Sequence, residues 1–164
     1  MSFGNTVKDG SGTSYWHLQD SQGRLIIVPA WTMGLSSSTA ADDSDITFTV
    51  PASTEWIVHS IWIELTTTVT VGNRQITIEL QDGSSDVIMQ VRAGIVQAAS
   101  LTRYYLFSPG VVDLVAFRDT DYLSTPIPEL TLPAAYVLRV YDKTAVAAGA
   151  DDMIVHVRRS ARNI

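Results

Sequence analysis

From Leu65 to Leu80 the chain alternates between apolar and polar positions on either side of Gly72-Asn73. A period of two is the mark of a strand with one buried face. A two-residue loop at Gly72-Asn73 pairs Val71 with Arg74, Val69 with Ile76, Thr67 with Ile78 and Leu65 with Leu80. One face is then mainly apolar and the other polar, and a slip of one residue mixes them. Gly72 suits a first loop position that needs positive φ. The pattern predicts a hairpin with Arg74 at the end of its apolar face. There the stem packs while the guanidinium reaches out, to water or to a neighbouring subunit.

The same alternation recurs along most of the chain, punctuated by Gly, Pro, Asp and Ser. It predicts strands at Thr13–Leu18, Arg24–Val28, Asp45–Val50, Glu55–Val71, Arg74–Asp82, Asp86–Arg92, Leu101–Phe107, Val111–Arg118, Glu129–Leu132, Ala135–Tyr141 and Met153–Arg158. In Glu55–Val71, Ile57, Ile61, Ile63 and Leu65 share the core face with His59. Trp56, Val58 and Trp62 point the opposite way, a second apolar face that either belongs to the core or is covered by the N-terminal arm or another subunit. The last two strands read as a closing hairpin. Helix signals are confined to Gln97-Ala98-Ala99 and to Thr144–Ala150, the second more loop-like because of Gly149.

Many short strands predict an all-β antiparallel sandwich or barrel rather than a parallel α/β sheet. Three regions are expected: an N-terminal arm with a small hairpin over 1–30, a polar flexible connector over 31–44, and a β-sandwich over 45–164. With 164 residues the chain suits one core of ordinary size.

Composition adds that 46% of the residues are hydrophobic and 17% charged, an apolar balance that favours covered surfaces and an oligomer. The net charge of −6 and scattered basic residues argue against nucleic acid as the main partner. Arg158, Arg159 and Arg162 form the one basic group, read as a solvated tail or as a contact to a neighbour's acids in preference to a phosphate contact. Cysteine is absent, which excludes disulfides and thiolate chemistry. MSFGNTVKDG lacks the apolar stretch of a secretory signal, and no run of 18 apolar residues spans a membrane.

Catalytic signatures are missing. His17, His59 and His156 lack metal-ligand spacing, and no GxSxG, P-loop or GxGxxG motif occurs. Glu55, Glu64, Glu79 and Glu129 lie on or beside strands without a marked catalytic pair. Asp42, Asp43 and Asp45 offer oxygens to calcium, but lack an EF-hand's glycine and closing glutamate; a flexible acidic connector is preferred. No cofactor is expected, and the reading is of a non-enzyme.

The stretch WIVHSIWIELTTTVTVGNRQITIELQDGSSDVI, the later FSPG, LTLPAAYVLRVYD and the closing DDMIVHVRR resemble jelly-roll decoration or stabilisation (cement) proteins of tailed bacteriophages, over roughly residues 45–160. The resemblance implies a non-enzymatic virion protein, commonly a trimer, on the outside of a phage head. It also implies the major capsid protein as partner and synthesis in the bacterial cytoplasm. Trp16, Trp56, Trp62, Arg74, Arg158 and Arg159 are the candidate subunit or capsid contacts. A neck, tail or fibre-base component is the alternative. A carbohydrate-binding module, with Trp16, Trp31, Trp56 and Trp62 as stacking platforms, is the alternative from another class.

Overall fold

The computed structural model describes residues 6–8, 10–12, 14–19, 25–38, 41–42, 45–119, 121–146 and 150–164. The described residues contain strands and no helix. Backbone pairing of β1 (Thr6–Lys8), β2 (Ser14–Gln19) and β3 (Leu25–Pro29) forms a separate three-stranded antiparallel sheet.

The remaining strands are β4 (Thr32–Ser37), β5 (Ala41–Asp42), β6 (Ile46–Thr49), β7 (Thr54–Thr66), β8 (Ile76–Gln81), β9 (Val87–Arg92), β10 (Thr102–Ser108), β11 (Tyr122–Pro126), β12 (Leu130–Leu132), β13 (Val137–Asp142) and β14 (Asp152–Asn163). One sheet has the order β11-β10-β7-β14-β4, with β12 and β5 attached to β7 and β14. The other has the order β6-β13-β8-β9. Pairing is antiparallel except between β10 and β11. The orders β4-β14-β7-β10 and β6-β13-β8-β9 are those of an eight-strand jelly roll. Chain-successive strands of this set alternate between the sheets, save that β8 and β9 are neighbours.

That alternation overturns both predicted hairpins. β7 and β8 do not pair: β7 lies between β10 and β14, and β8 between β13 and β9. Likewise β13 pairs with β6 and β8, and β14 with β7 and β4. Leu65 and Leu80 do face one core, but from opposite sheets. An apolar face is buried equally well across the ~10 Å between sheets as beside a neighbour ~4.8 Å away, so periodicity does not choose between them.

Other boundaries moved too. The predicted strand Val111–Arg118 is irregular, apart from a bridge of Arg118 to Tyr122. The expected flexible connector over 31–44 includes β4, which pairs with β14 from Ala161↔Thr32 to His156↔Ser37. Its side chains are largely exposed because it is an edge strand, so it lacks the apolar alternation that announces a strand.

The core is formed by Ile61, Ile63 and Leu65 of β7, Tyr105 and Phe107 of β10, and Met153, Val155 and Val157 of β14. They meet Ile76, Ile78 and Leu80 of β8 and Leu138 and Val140 of β13. Each such side chain contributes about 1.5–3 kcal/mol on burial. Along β7 the buried phase changes. Arg158 pairs with Ser60 but Arg159 with Val58, so His59 is an extra residue in a β-bulge. Before it Trp56 and Val58 face the core; after it Ile61 does. The expectation that Trp56, Val58 and Trp62 share a face is therefore corrected, and His59, expected on the core face, instead bonds Ser160 Oγ at 2.8 Å.

Candidate functional site

The outward face of the five-stranded path carries a row of aromatic rings. On β7 the outward positions after the bulge are Ser60, Trp62, Glu64 and Thr66, because Ile61, Ile63 and Leu65 point inward. On β14 the outward positions are Ile154, His156 and Arg158, between Met153, Val155 and Val157. Register sets Trp62 opposite His156 and Leu106, Glu64 opposite Ile154 and Tyr104, and Tyr104 opposite Tyr122.

Those positions stack. Tyr122 lies 4.8 Å from Tyr104 between ring centroids, Tyr104 5.8 Å from Trp62, and Trp62 5.2 Å from His156, with interplanar angles of 23–25°. The row continues to β4, where His156 Nδ1 and Ser37 Oγ are 2.7 Å apart. Apolar exposure accompanies it: Tyr122 is 53% exposed, and on β4 Leu35 is 61% and Met33 55% exposed. A ring stacked on both sides presents its edge rather than its face. Tyr104 and Trp62 therefore offer polar-edged apolar area for a flat contact, and little free ring face.

The other predicted contact residues divide. Trp56 is buried, and the Arg159 guanidinium lies 4.1 Å above its ring while Arg159 Nε donates to Ser36 Oγ at 2.9 Å. Burial holds the Arg159 pKa below the ordinary arginine value. Arg158 is exposed on the aromatic face. Trp16 pairs through its backbone with Thr6 and Val28; its side chain lies outside the described residues. Of the acidic cluster, Asp45 is ion-paired with Arg139, and the Asp43 reading lies outside the described residues, as does the Asp42 side chain.

Arg74 is the largest correction. Expected at the surface, it is fully buried at one end of the sandwich. Its Nε donates to Asp151 Oδ2 at 2.6 Å, Nη2 to Asp151 Oδ1 at 3.2 Å, and Nη1 to the carbonyls of Thr70 and Gly72 at 2.8 and 2.7 Å. Thr68 N–H and its hydroxyl also donate to Asp151 Oδ1, at 2.6 and 2.8 Å. Burial by itself raises the Asp151 carboxyl; the donors from Arg74 and Thr68 outweigh it and hold its pKa below the usual carboxylate value. The Arg74 backbone bridges to Gln97. Gln97, whose neighbourhood carried a helix signal, is instead a buried clamp between the corner loops. Its Nε2 donates to Leu65 O and Leu101 O at 3.0 and 2.8 Å, and its Oε1 accepts from Tyr105 at 2.8 Å. Gly72 has φ +153°, and a Cβ there would lie 2.7 Å from Val146 Cγ1. The expected positive φ is present, though it serves a corner between sheets.

On the opposite sheet Glu79 accepts from Gln81 and Arg139 on Oε1, at 2.8 and 3.0 Å. On Oε2 it accepts from Gln90 and Tyr141, at 3.1 and 3.0 Å. Burial raises its carboxyl, and these four donors together bring it below the ordinary value. A carboxylate saturated in this way is held ionised and has no free lone pair for proton transfer. Tyr141→Phe removes one donor to this charged group and is expected to cost about 1.5–3 kcal/mol, read from the urea midpoint; no change would mean that the bond contributes nothing net. Among the described residues, no group of three or more His, Asp or Glu is placed to hold a metal.

The fold defines an all-β, jelly-roll-like sandwich. No protein-family model matches the chain. No curated protein matches it either. Among solved structures it is similar to an arabinose-bound α-L-arabinofuranosidase (11% identity, TM-score 0.35, covering 98% of this chain and 23% of that one). It is similar to an exo-β-agarase (10%, TM-score 0.34, 93% and 22%). It is also similar to infectious bursal disease virus Gx strain (12%, TM-score 0.30, 98% and 47%). The chain thus spans about a quarter of the enzymes and about half of the viral chain.

Proposed function

We propose that the protein is a non-enzymatic structural virion subunit that decorates the outside of a phage head and bridges neighbouring capsomers. The observation that carries the assembly reading is the aromatic row from Tyr122 to His156, continuous across four strands and bordered by exposed Leu35 and Met33. Aromatic side chains on a flat face supply contact area at low entropic cost. The phage-head assignment rests on the resemblance over residues 45–160. Many copies, each with modest contacts, stabilise a shell that they bind better than its free subunits.

The row favours protein contact over a sugar platform. Stacking on sugars uses free ring faces, and the faces of Trp62 and Tyr104 are turned to their neighbours. Trp56 is buried, and Trp31 lies under Arg162 at 4.6 Å. Trp62→Ala is expected to keep the fold, because the ring lies outside the core, and to weaken binding to expanded heads stripped of the protein by roughly 30-fold. Sedimentation of heads with labelled protein measures it. Wild-type protein that neither binds such heads nor raises their heat resistance contradicts the proposal, and glycan binding abolished by Trp62→Ala would support the sugar reading instead.

A further inference from the structure

We propose that this outward sheet face pairs with the same face of a second copy about a two-fold axis through the Trp62–His156 pair. The inference rests on reading the face as an assembly surface, and names its partner. Charge placement carries it. Glu64 lies two residues beyond Trp62 on β7, and Arg158 two residues beyond His156 on β14, in opposite directions from the Trp62–His156 row. The face is therefore acidic at one end, aromatic in the middle and basic at the other, with Asp152 extending the acidic end opposite Thr66.

Within one chain Glu64 and Arg158 cannot meet. Arg158 is opposite Ser60, four residues along β7 from Glu64, or about 13 Å at 3.3 Å per residue. Neither has an ion-pair partner among the described residues, whereas Arg74, Arg103, Arg139 and Arg162 each have a carboxylate. A two-fold axis at the row between them exchanges the two ends. Each Glu64 then comes over the other copy's Arg158, and the aromatic centre packs on itself. An isologous contact requires such self-complementarity. A single-signed face would repel its own copy, so the opposite ends favour a second copy over an unrelated partner.

Light scattering of the full chain at micromolar concentration, with near-ultraviolet circular dichroism for folding, tests the pairing. Wild-type protein is expected to contain an even number of chains. Glu64→Arg and Arg158→Glu are each expected to weaken association by roughly tenfold or more, and the double variant to restore it. If a reversed charge disturbs folding, Glu64→Gln, Arg158→Gln and their combination give the same coupling in a double-mutant cycle. An odd-numbered wild-type oligomer, a monomer, or a double variant no better than the singles overturns the pairing. Head binding separates this failure from that of the function: wild-type protein that binds heads without pairing refutes only the two-fold contact, and paired protein that ignores heads refutes only the head assignment.

Discussion

Arg74→Met is expected to destabilise the protein by about 3–5 kcal/mol, the usual cost of removing one partner of a buried ion pair. The substitution keeps much of the apolar stem but strands Asp151, which is fully buried. It also removes the donor to the Thr70 and Gly72 carbonyls. Asp151→Asn in the same background is expected to recover part of the loss, because an amide needs no counter-charge. Urea unfolding with an unchanged m-value measures both. A loss below about 1 kcal/mol would mean that the pair contributes little beyond its own desolvation.

The pH dependence has a definite sign. The folded Asp151 pKa is depressed, so its contribution is fully present above the ordinary aspartate value of about 4 and is lost as pH falls through the lower folded value. Glu79 acts in the same direction. In Arg74→Met, burial of Asp151 loses its main opposing donor, so the acid-side slope from this group weakens or reverses. The difference between the two stability curves isolates Asp151 from Glu79.

Gln97→Leu ranks second, at about 2–4 kcal/mol. It leaves the buried Tyr105 hydroxyl without its acceptor, and removes the donors to Leu65 O and Leu101 O. Leu101 O still accepts from Thr67 N–H at 2.9 Å, so the tyrosine dominates the loss. Burial already pushes the Tyr105 pKa upward. Adding Tyr105→Phe to Gln97→Leu is expected to restore about 1–2 kcal/mol, since replacing both partners by apolar groups removes the unsatisfied donor. Thermal unfolding of the four proteins closes the cycle, and equal stability of the single and double variants would rule out this account.

Arg74 and Trp56 show where sequence reasoning stopped. Arg74 follows a turn-like Gly-Asn in a polar-looking stretch, and its partner Asp151 is 77 residues away. Nothing local distinguishes a buried arginine from an exposed one when the counter-charge arrives from another corner of the sandwich. Asp151 and Asp152 are identical neighbours in the sequence, yet Asp151 is fully buried and Asp152 exposed. Trp56 was displaced by the bulge at His59, a one-residue change of phase set by pairing with β14. Trp62, by contrast, was placed correctly on the face away from Ile61, Ile63 and Leu65, because alternation is unbroken after the bulge.

Alternating side-chain polarity by itself determined that the chain is all-β. It also selected most of the strands and the inward sets Ile61-Ile63-Leu65 and Ile76-Ile78-Leu80. A period of two follows from the pleat of one strand, so it needs no knowledge of neighbours. Only the tertiary structure decided which strands pair, where β4 joins the sheet, and that Arg74, Gln97 and Asp151 meet at one end. These are contacts between segments far apart in the chain, and hydrophobic burial is non-directional. It fixes which side faces the core and leaves the neighbour to the closing of the whole sandwich.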